Sequence, residues 1–359
     1  MRANYFLYVG TYGKGIYGYR YETGDAKLEL MGLVSEVKNP SFLAVDRDSR
    51  YLYAVSELEG KVDGGVAAFA IDRASGALQP LNTESSAGEA PCHLSVDHST
   101  RMLVVANYGT GTVAVFPIEQ DGRLGKMSDL AKAHGSSINP QRQQGPHAHE
   151  AVISADNRFL YVPDLGLDRI RIYRLDMANG KLAPNEPADV AVEAGYGPRH
   201  IAFTPDDKFA YVANELEPFV TAFRHDASDG SLHEIQSLSI LPPTAKGENG
   251  PAEIAVDRAG KFVYVSNRGP GTIAVFAIEG DNGTLKPVQV ARTGGTWPRA
   301  FEFDPTGRFL FAGDQKADQF VIFDVDAAHG KLTLTGQVYE VLSPVAFLFV
   351  PRQSNGASR

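Results

Sequence analysis

The stretch GYGPRHIAFTPDDKFAYVANE, residues 195–215, has the pattern of a β-hairpin. Apolar β-forming residues fill both halves, and a Pro-Asp-Asp turn separates them. An antiparallel hairpin brings its two ends together at one edge of the sheet. We therefore expect the polar residues at those ends, Arg199, His200, Asn214 and Glu215, to lie side by side.

The same hairpin pattern recurs roughly every 50 residues, a spacing typical of β-propeller blades. After several hairpins comes a third strand and then a Gly-x-Leu motif that opens a fourth, so each repeat is predicted to be a four-stranded meander. First strands are predicted to begin near Pro40, Pro91, Ala148, Pro198, Pro251, Pro298 and Pro344. Second strands are predicted to end at Thr11, Ser56, Asn107, Asp164, Asn214, Asn267 and Asp314. The Gly-x-Leu motifs begin at Gly76, Gly122, Gly180 and Gly283.

The two ends of the chain complete one repeat between them. The first part of the chain supplies only three strands, at residues 6–9, 16–21 and 28–34, while residues 344–350 supply a lone first strand. Joined, they form a blade that leaves no open sheet edge. The sequence therefore predicts an all-β fold with almost no helix, a seven-bladed β-propeller that forms a single domain over residues 1–359. We expect the tail from about residue 352 to be disordered.

Composition and charge restrict the partners. The chain is 43% hydrophobic and 21% charged, which is ordinary for a globular protein, and no apolar run reaches the ~18 residues of a membrane helix. With no signal-peptide pattern, we expect a cytoplasmic protein without membrane contact. The single cysteine, Cys92, excludes an intrachain disulfide and a cysteine metal cluster. A net charge of −9 argues against nucleic acid, so an anionic small-molecule substrate would need a local group of arginines.

Polar residues are predicted to converge at one mouth of the propeller channel, because the innermost strand of each blade lines that channel. A structural ring would repeat one residue type there, whereas these positions diverge into His, Arg and Glu, which favours an asymmetric binding site. The residues at the starts of the first strands are Ser41, Phe42, Cys92, His93, His149, Glu150, Arg199, His200, Ala252, Glu253, Arg299, Ala300, Val345 and Ala346. Those just after the second strands are Tyr12, Glu57, Tyr108, Leu165, Glu215, Arg268 and Gln315.

Loops 57–64, 125–146 and 242–250 are expected to rim the same face, and long loops on one face of a repeat fold often form its binding surface. Loop 125–146 also carries Arg142. The alternative is a solvated insertion without function.

The arginines and the histidines suggest distinct chemistry. Arg199, Arg268 and Arg299 suit bidentate recognition of a carboxylate or phosphate, although they could instead form structural salt bridges with Glu215 as their counter-ion. The pair His147-Ala148-His149 could bind a metal, but no third ligand is adjacent, which favours a general base or hydrogen-bond donor. We therefore predict no metal and no cofactor. Asparagine at strand ends, such as Asn267, commonly caps turns.

A set of motifs in order along nearly the whole chain resembles the seven-bladed propeller lactonases, a family that includes propeller-type 6-phosphogluconolactonase and carboxy-cis,cis-muconate cyclase. The motifs are YVGTY (8–12), NPSFL (39–43), PCH (91–93), VANY (105–108), PHAH (146–149), DLG (164–166), GPRH (197–200), NEL (214–216) and SNRG (266–269).

The resemblance implies hydrolysis of a sugar lactone, with 6-phosphogluconolactone as the expected substrate and water as the nucleophile. By analogy with the cyclase, the implied catalytic residues are His149, Arg199, Glu215 and Arg268. The expected substrate-binding residues are His93, Arg142, His147, His200, Asn267 and Arg299. Whether His147, His149 or Glu215 is the base stays open.

Three other functions fit the same fold. A muconate-type lactonising enzyme would use the arginines to hold two carboxylates, and a non-catalytic propeller would bind a ligand or protein without turnover. A calcium-dependent sugar lactonase would lose activity with a chelator. The oligomeric state does not follow from the sequence.

Overall fold

The computed structural model describes residues 4–60, 63–241 and 247–353. Its strands form seven four-stranded antiparallel sheets, which confirms the predicted seven-bladed β-propeller. Within the described ranges the one helix is the 3₁₀ turn Gly280–Asn282, so no helix there could cross a membrane. Residues 61–62 and 242–246 of two predicted rim loops and 354–359 of the predicted tail lie outside the described residues.

The strands run in chain order around the ring, and blade 1 is built from both ends of the described chain. Blade 1 contains β1 (Asn4–Thr11), β2 (Gly15–Glu22), β3 (Lys27–Glu36) and, innermost, β28 (Pro344–Pro351). Blade 2 contains β4 (Leu43–Val45), β5 (Tyr51–Ser56), β6 (Gly65–Ile71) and β7 (Leu78–Ser85). Blade 3 contains β8 (Pro91–Val96), β9 (Met102–Asn107), β10 (Thr112–Pro117) and β11 (Asp129–Ala131). Blade 4 contains β12 (Val152–Ile153), β13 (Phe159–Asp164), β14 (Arg169–Asp176) and β15 (Lys181–Ala191). Blade 5 contains β16 (Pro198–Phe203), β17 (Phe209–Asn214), β18 (Phe219–Asp226) and β19 (Ser231–Ser239). Blade 6 contains β20 (Gly250–Val256), β21 (Phe262–Arg268), β22 (Thr272–Glu279) and β23 (Thr284–Arg292). Blade 7 contains β24 (Pro298–Phe303), β25 (Phe309–Asp314), β26 (Gln319–Val325) and β27 (Leu332–Glu340).

Three predicted strand positions were wrong. The first strands of blades 2 and 4 begin at Leu43 and Val152, later than Pro40 and Ala148. In blade 4 the chain leaves the strand ladder because the Ala151 N–H donates to His93 Nδ1 (3.3 Å). In blade 3 the Gly122 motif forms only an isolated bridge through Leu124, and the fourth strand is the later β11.

The hydrophobic core lies between the blades. Seven clusters of buried side chains each occupy one of the seven blade interfaces, so no blade buries its faces alone. Side-chain caps fix the turn between the first two strands of a blade: Asp304 Oδ1, for example, accepts from the backbone N–H groups of Arg308 and Phe309 (both 3.0 Å).

Neighbouring blades are also joined by tyrosine side chains of the second strands. Tyr211 Oη in blade 5 donates to the carbonyl of Gly283 in blade 6 (3.0 Å). Glycine fits at this place in blade 6 because its backbone has a φ of 71° and its Cα faces the ring of Phe209. The same bond recurs at Tyr8–Gly76, Tyr53–Gly122, Tyr161–Gly230 and Tyr264–Gly330.

Candidate active site

β-Bulges at the starts of four first strands direct side chains into the channel mouth. In blade 5 the register shifts between Pro198 and His200, and the extra residue is Arg199. Equivalent shifts occur at Cys92 in blade 3 and Arg299 in blade 7, and a longer one follows Pro251 in blade 6. A bulge lets adjacent residues escape the alternation of a regular strand. Arg199 and His200 can therefore both contact groups on the channel side.

Glu215 is the centre of one wall of the site. The carboxylate is buried and makes ion pairs with three arginines. Arg142 Nη2 donates to Oε1 (2.7 Å), while Arg199 Nε and Arg268 Nη2 each lie 3.0 Å from Oε2. The predicted residues Arg199, Arg268 and Glu215 are thus brought together, and Arg142 joins them from loop 125–146.

Two of these arginines are also held by backbone carbonyls of blade 6. Arg199 Nη1 donates to the Ala252 carbonyl (2.7 Å), and Arg268 Nε donates to the Gly250 carbonyl (2.8 Å). Burial and the neighbouring Arg299 and Arg268 lower the pKa of Arg199 to about 10, which leaves it charged at neutral pH. Both guanidinium groups are therefore fixed before any ligand binds.

The ionisation of Glu215 follows from its partners. Burial alone would raise the pKa of this carboxyl, but Arg268, Arg199 and Arg142 hold it well below its usual value. A permanently ionised carboxylate with both oxygens engaged is a weak base. The geometry favours Glu215 as the group that organises the arginines.

His149 lies beside this cluster. Its Nε2 is 3.7 Å from Glu215 Oε2, and its Nδ1 is 3.8 Å from Cys92 Sγ. Burial, reinforced by the positive charge of Arg199, lowers the pKa of His149 well below its usual value. The imidazole is therefore neutral at pH 7 and offers a nitrogen lone pair to a proton donor, while burial also makes it a weaker base than a free imidazole.

The opposite wall comes from blades 1, 2 and 7. Arg299 Nη2 donates to Tyr12 Oη (2.7 Å), and the guanidinium lies 5.0 Å from the centre of the Tyr12 ring. Tyr12 Oη donates in turn to Glu57 Oε2 (2.7 Å), which also accepts from Ser41 Oγ. This wall thus has its own buried carboxylate, at the place in blade 2 that Glu215 occupies in blade 5.

A cavity of about 140 Å³ lies between the two walls. It opens beside a second cleft of about 320 Å³, which shares Tyr12, Glu57 and Glu59 and extends to Lys38. A small ligand bound between the walls therefore has space to extend toward the rim. The residues that line the cavity are Tyr12, Glu57, Glu59, Cys92, Tyr108, Arg142, His149, Glu215 and Arg299.

A second layer of titratable groups, one residue further along the first strands, lies next to this cluster. His200 Nδ1 is 2.9 Å from Glu253 Oε1, and His93 Nε2 is 3.5 Å from Glu150 Oε1. The His200 ring lies 5.3 Å from the His149 ring, whereas Nε2 of His200 is buried without a hydrogen-bond partner. The predicted substrate-binding residues His93 and His200 thus contact carboxyl groups here, outside the lining of the cavity.

Two other predicted substrate-binding residues make protein contacts. His147 stacks on Tyr108, and its Nδ1 lies 2.8 Å from the Tyr108 carbonyl. Asn267 is buried, with Oδ1 accepting from the Gly250 N–H (3.0 Å) and Nδ2 donating to Asn249 Oδ1 (3.2 Å). These bonds favour a role for Asn267 in fixing the β20–β21 hairpin. No group of three His, Cys, Asp or Glu residues with metal-binding geometry is found in the described part of the chain.

Sequence reasoning did not select five residues that line the cavity, namely Tyr12, Glu57, Glu59, Cys92 and Tyr108. All except Glu59 stand at the converging positions described above. The signal was present for Glu57 in particular, because it follows its second strand as Glu215 does. The hydrogen bond between Glu57 and Tyr12 could not be predicted from the sequence because the two residues belong to different blades.

The fold and the cavity define a propeller with one asymmetric, arginine-rich site. The family model for "Lactonase, 7-bladed beta-propeller" matches residues 6–349, so the chain belongs to the seven-bladed β-propeller lactonase family and is of the lactonase class. It is 37% identical to the 6-phosphogluconolactonase of Bacillus subtilis strain 168, over 97% of this chain and 99% of that protein. It is 32% identical to the 6-phosphogluconolactonase of Formosa agariphila, over 91% and 94% of the two chains. Among solved structures, the periplasmic gluconolactonase of Pseudomonas aeruginosa superposes with a TM-score of 0.92 at 33% identity, covering 98% of this chain and 100% of that one.

Proposed function

We propose that this lactonase hydrolyses a phosphorylated sugar lactone, 6-phosphogluconolactone, to 6-phosphogluconate. The observation that carries the proposal is the charge of the cavity. Arg142 and Arg299 line it, and Arg199 and Arg268 lie behind Glu215, whereas the lining carries three carboxylates, Glu57, Glu215 and, at the exposed rim, Glu59. The four arginines exceed these three carboxylates by one positive charge.

That excess suits a phosphate monoester, which carries about −1.5 to −2 charges at pH 7. The deeper carboxyls offset it only in part, because burial raises the pKa of Glu253 to about 7, which leaves it about half ionised at pH 7, and raises the pKa of Glu150 well above its usual value. The names of the Bacillus subtilis and Formosa agariphila relatives also support a phosphorylated lactone. The name of the Pseudomonas aeruginosa neighbour points to gluconolactone and makes the phosphate requirement the main question.

In the proposed mechanism, His149 Nε2 takes a proton from water as the water oxygen attacks the lactone carbonyl. Such general base catalysis typically contributes ~10²–10⁴ in rate. Arg199 and Arg268, fixed by Glu215 and blade 6, stabilise the developing oxyanion. Collapse of the tetrahedral intermediate breaks the bond to the ring oxygen, and protonated His149 returns the proton to that oxygen. The reaction as written needs no cofactor.

The first test is hydrolysis of freshly generated 6-phosphogluconolactone beside unphosphorylated gluconolactone, above the spontaneous background and with and without a chelator. Faster turnover of the phosphorylated lactone that resists the chelator is expected. Loss of activity with the chelator would favour a calcium-dependent lactonase. Turnover of neither lactone would contradict the proposal and favour a cycloisomerase or a binding protein.

Single substitutions test the roles. His149→Asn should lower kcat by roughly 10²-fold or more if His149 is the base. His147→Asn is the matched control, since His147 stacks on Tyr108 at the edge of the site and should affect kcat much less. An equal loss of kcat in both variants would contradict the assignment of His149 as the base. Glu215→Gln should lower both activity and stability, because three arginines lose their shared anion.

We expect the enzyme to act in the cytoplasm on a soluble, anionic lactone, with neither nucleic acid nor membrane as a partner. The net charge of −9 supports the expectation about nucleic acid. Because the Pseudomonas aeruginosa neighbour is named as periplasmic, cell fractionation with an antibody against this chain is the direct test of location.

A further inference from the structure

Arg299 differs from the other three arginines of the site in how its charge is compensated. Arg142, Arg199 and Arg268 all contact the carboxylate of Glu215. Within the described part of the chain, Arg299 makes no ion pair with a carboxylate, and its hydrogen bond goes to the neutral hydroxyl of Tyr12. Arg299 therefore faces the cavity without a direct carboxylate partner, and the carboxylates of Glu57 and Glu215 act on its charge only through space.

The position of Arg299 is nevertheless fixed. Its guanidinium lies against the face of Tyr12, a favourable cation–π arrangement. The hydroxyl of Tyr12 is held by Glu57, and the backbone carbonyl of Glu57 accepts from Asn39 Nδ2 (3.1 Å). Burial raises the pKa of Tyr12 well above its usual value, so this hydroxyl remains protonated and neutral at pH 7. Tyr12 positions Arg299 without cancelling its charge.

We propose that Arg299, positioned by Tyr12 and Glu57, is the subsite for the phosphate of the substrate. This inference rests on the proposed function and adds a division of labour to it. The Glu215 wall, with His149, receives the lactone carbonyl, and the Arg299 wall receives the anionic end of the same molecule. A guanidinium presents a planar fork of N–H donors that matches phosphate oxygens.

The shape of the site agrees with this division. The 140 Å³ cavity lies between the two walls, and the adjoining cleft of about 320 Å³ begins at Tyr12 and Glu57. A substrate whose phosphate is carried on a CH2 arm outside its lactone ring can contact both walls at once.

The test compares kcat/KM for 6-phosphogluconolactone and gluconolactone in the wild-type protein and in Arg299→Gln. The substitution should lower kcat/KM for the phosphorylated lactone roughly 10–100-fold more than for gluconolactone, mainly through KM. Arg142→Gln is the matched control, an arginine on the other wall. It should lower kcat/KM for both substrates by similar factors. Equal losses for both substrates in Arg299→Gln would overturn the subsite.

Two further measurements keep the proposal testable if Arg299→Gln folds poorly or if gluconolactone is not turned over. Tyr12→Phe retains the ring but removes the hydroxyl, and it should raise KM for the phosphorylated lactone with little change in kcat. In calorimetric titration, inorganic phosphate should bind the wild-type protein more tightly than either variant. Phosphate binding that is unchanged in both would overturn the subsite. Failure of the wild-type protein to hydrolyse either lactone would instead contradict the proposed function.

Discussion

At the scale of single residues, the partners of a side chain decide its role more than its type does. The four site arginines differ only in what they contact, and the two buried glutamates of the site, Glu57 and Glu215, hold a tyrosine and three arginines respectively. The same principle separates Glu215 from Glu253. The first is surrounded by cations and stays ionised, whereas the second is paired with the neutral His200.

Glu253 gives a prediction about stability. Burial raises its pKa from the usual 4.5 to about 7 despite the nearby Arg199. The folded state therefore holds this proton more tightly than the unfolded state, so folding stability from this group falls as pH rises from about 4.5 to 7 and stays lower above it. Glu253→Gln keeps a hydrogen bond to His200 Nδ1 and removes the cost of the charge.

We therefore expect Glu253→Gln to stabilise the protein at pH 8 by roughly 1–3 kcal/mol and to have little effect at pH 5. Thermal and urea unfolding at both pH values measure the difference, and the pH 5 pair serves as the internal control. The same change in stability at both pH values would show that the gain does not come from the carboxyl's ionisation.

At the scale of elements, the blades are joined by a bond between a tyrosine of one second strand and a glycine carbonyl of the next blade. Gly283 is one such glycine. A Cβ there would lie 2.2 Å from Cδ1 of Phe209, and the backbone φ of 71° is unfavourable for other residues. Gly294 has a similar φ of 88° but no atom within 4 Å of its Cβ position, which makes it a matched control.

Gly283→Ala should therefore destabilise the protein by roughly 2–4 kcal/mol, the sum of a backbone term and a packing term. Gly294→Ala should cost about 1 kcal/mol, from the backbone term alone. Chemical unfolding of the two variants beside the wild-type protein gives both values. Equal destabilisation would mean that the contact with Phe209 relaxes without cost.

Loop 125–146 gives a second prediction for an element. Gln143 is fully buried, accepts from the Asn139 N–H (3.0 Å) and donates to the Leu165 carbonyl (2.9 Å). These bonds hold the loop against blade 4 and present the adjacent Arg142 to Glu215. Gln143→Ala should loosen that presentation.

The expected result for Gln143→Ala is a rise in KM of roughly 3–10-fold with a smaller change in kcat, because binding is affected more than the base. Gln144→Ala is the control, since Gln144 is the neighbouring exposed residue and bonds only within the loop. Steady-state kinetics with the lactone that the wild-type protein hydrolyses give KM and kcat for both variants. Unchanged kinetics for Gln143→Ala would indicate that the loop stays in place without it.

The sequence sufficed for most elements because each strand boundary is marked locally. Proline lies at or near the start of most first strands, asparagine or aspartate lies at or near the end of most second strands, and glycine turns the chain into several fourth strands, so the seven-bladed fold could be predicted. The predicted start of the first strand in blade 4 was wrong because the Ala151 N–H donates to the His93 side chain instead of to a neighbouring strand, and that strand begins only at Val152. A contact between two blades does not alter the repeating sequence pattern, so it could not be predicted.

The candidate site could be predicted as a set of residues but not as two walls. The converging positions identified Arg199, Glu215, Arg268 and Arg299, because topology alone brings the ends of strands together. The bulge at Arg199 and the pairing of Tyr12 with Arg299 depend on side-chain packing between blades that are distant in sequence. The catalytic and binding roles remain predictions for the experiments above.

At the scale of the whole molecule, the ring is closed by one strand. β28 pairs with β1 at seven positions, from Tyr5 with Pro351 to Thr11 with Pro344, and adds Phe347 and Val350 to two blade interfaces. Without β28, the edge of β1 and both neighbouring cores would be exposed to water. The two ends of the described chain together therefore cover the interfaces of blade 1 with blades 2 and 7.

Removal of residues 344–359 should therefore abolish the cooperative thermal transition and cause aggregation, because an exposed edge strand pairs readily with other chains. Circular dichroism melting and size-exclusion chromatography measure both effects. A synthetic peptide of residues 344–353, added during refolding, should restore a monomeric protein with a cooperative transition, which assigns the effect to β28. A truncated chain that elutes as a monomer and melts like the full chain would show that six complete blades and an open edge are enough.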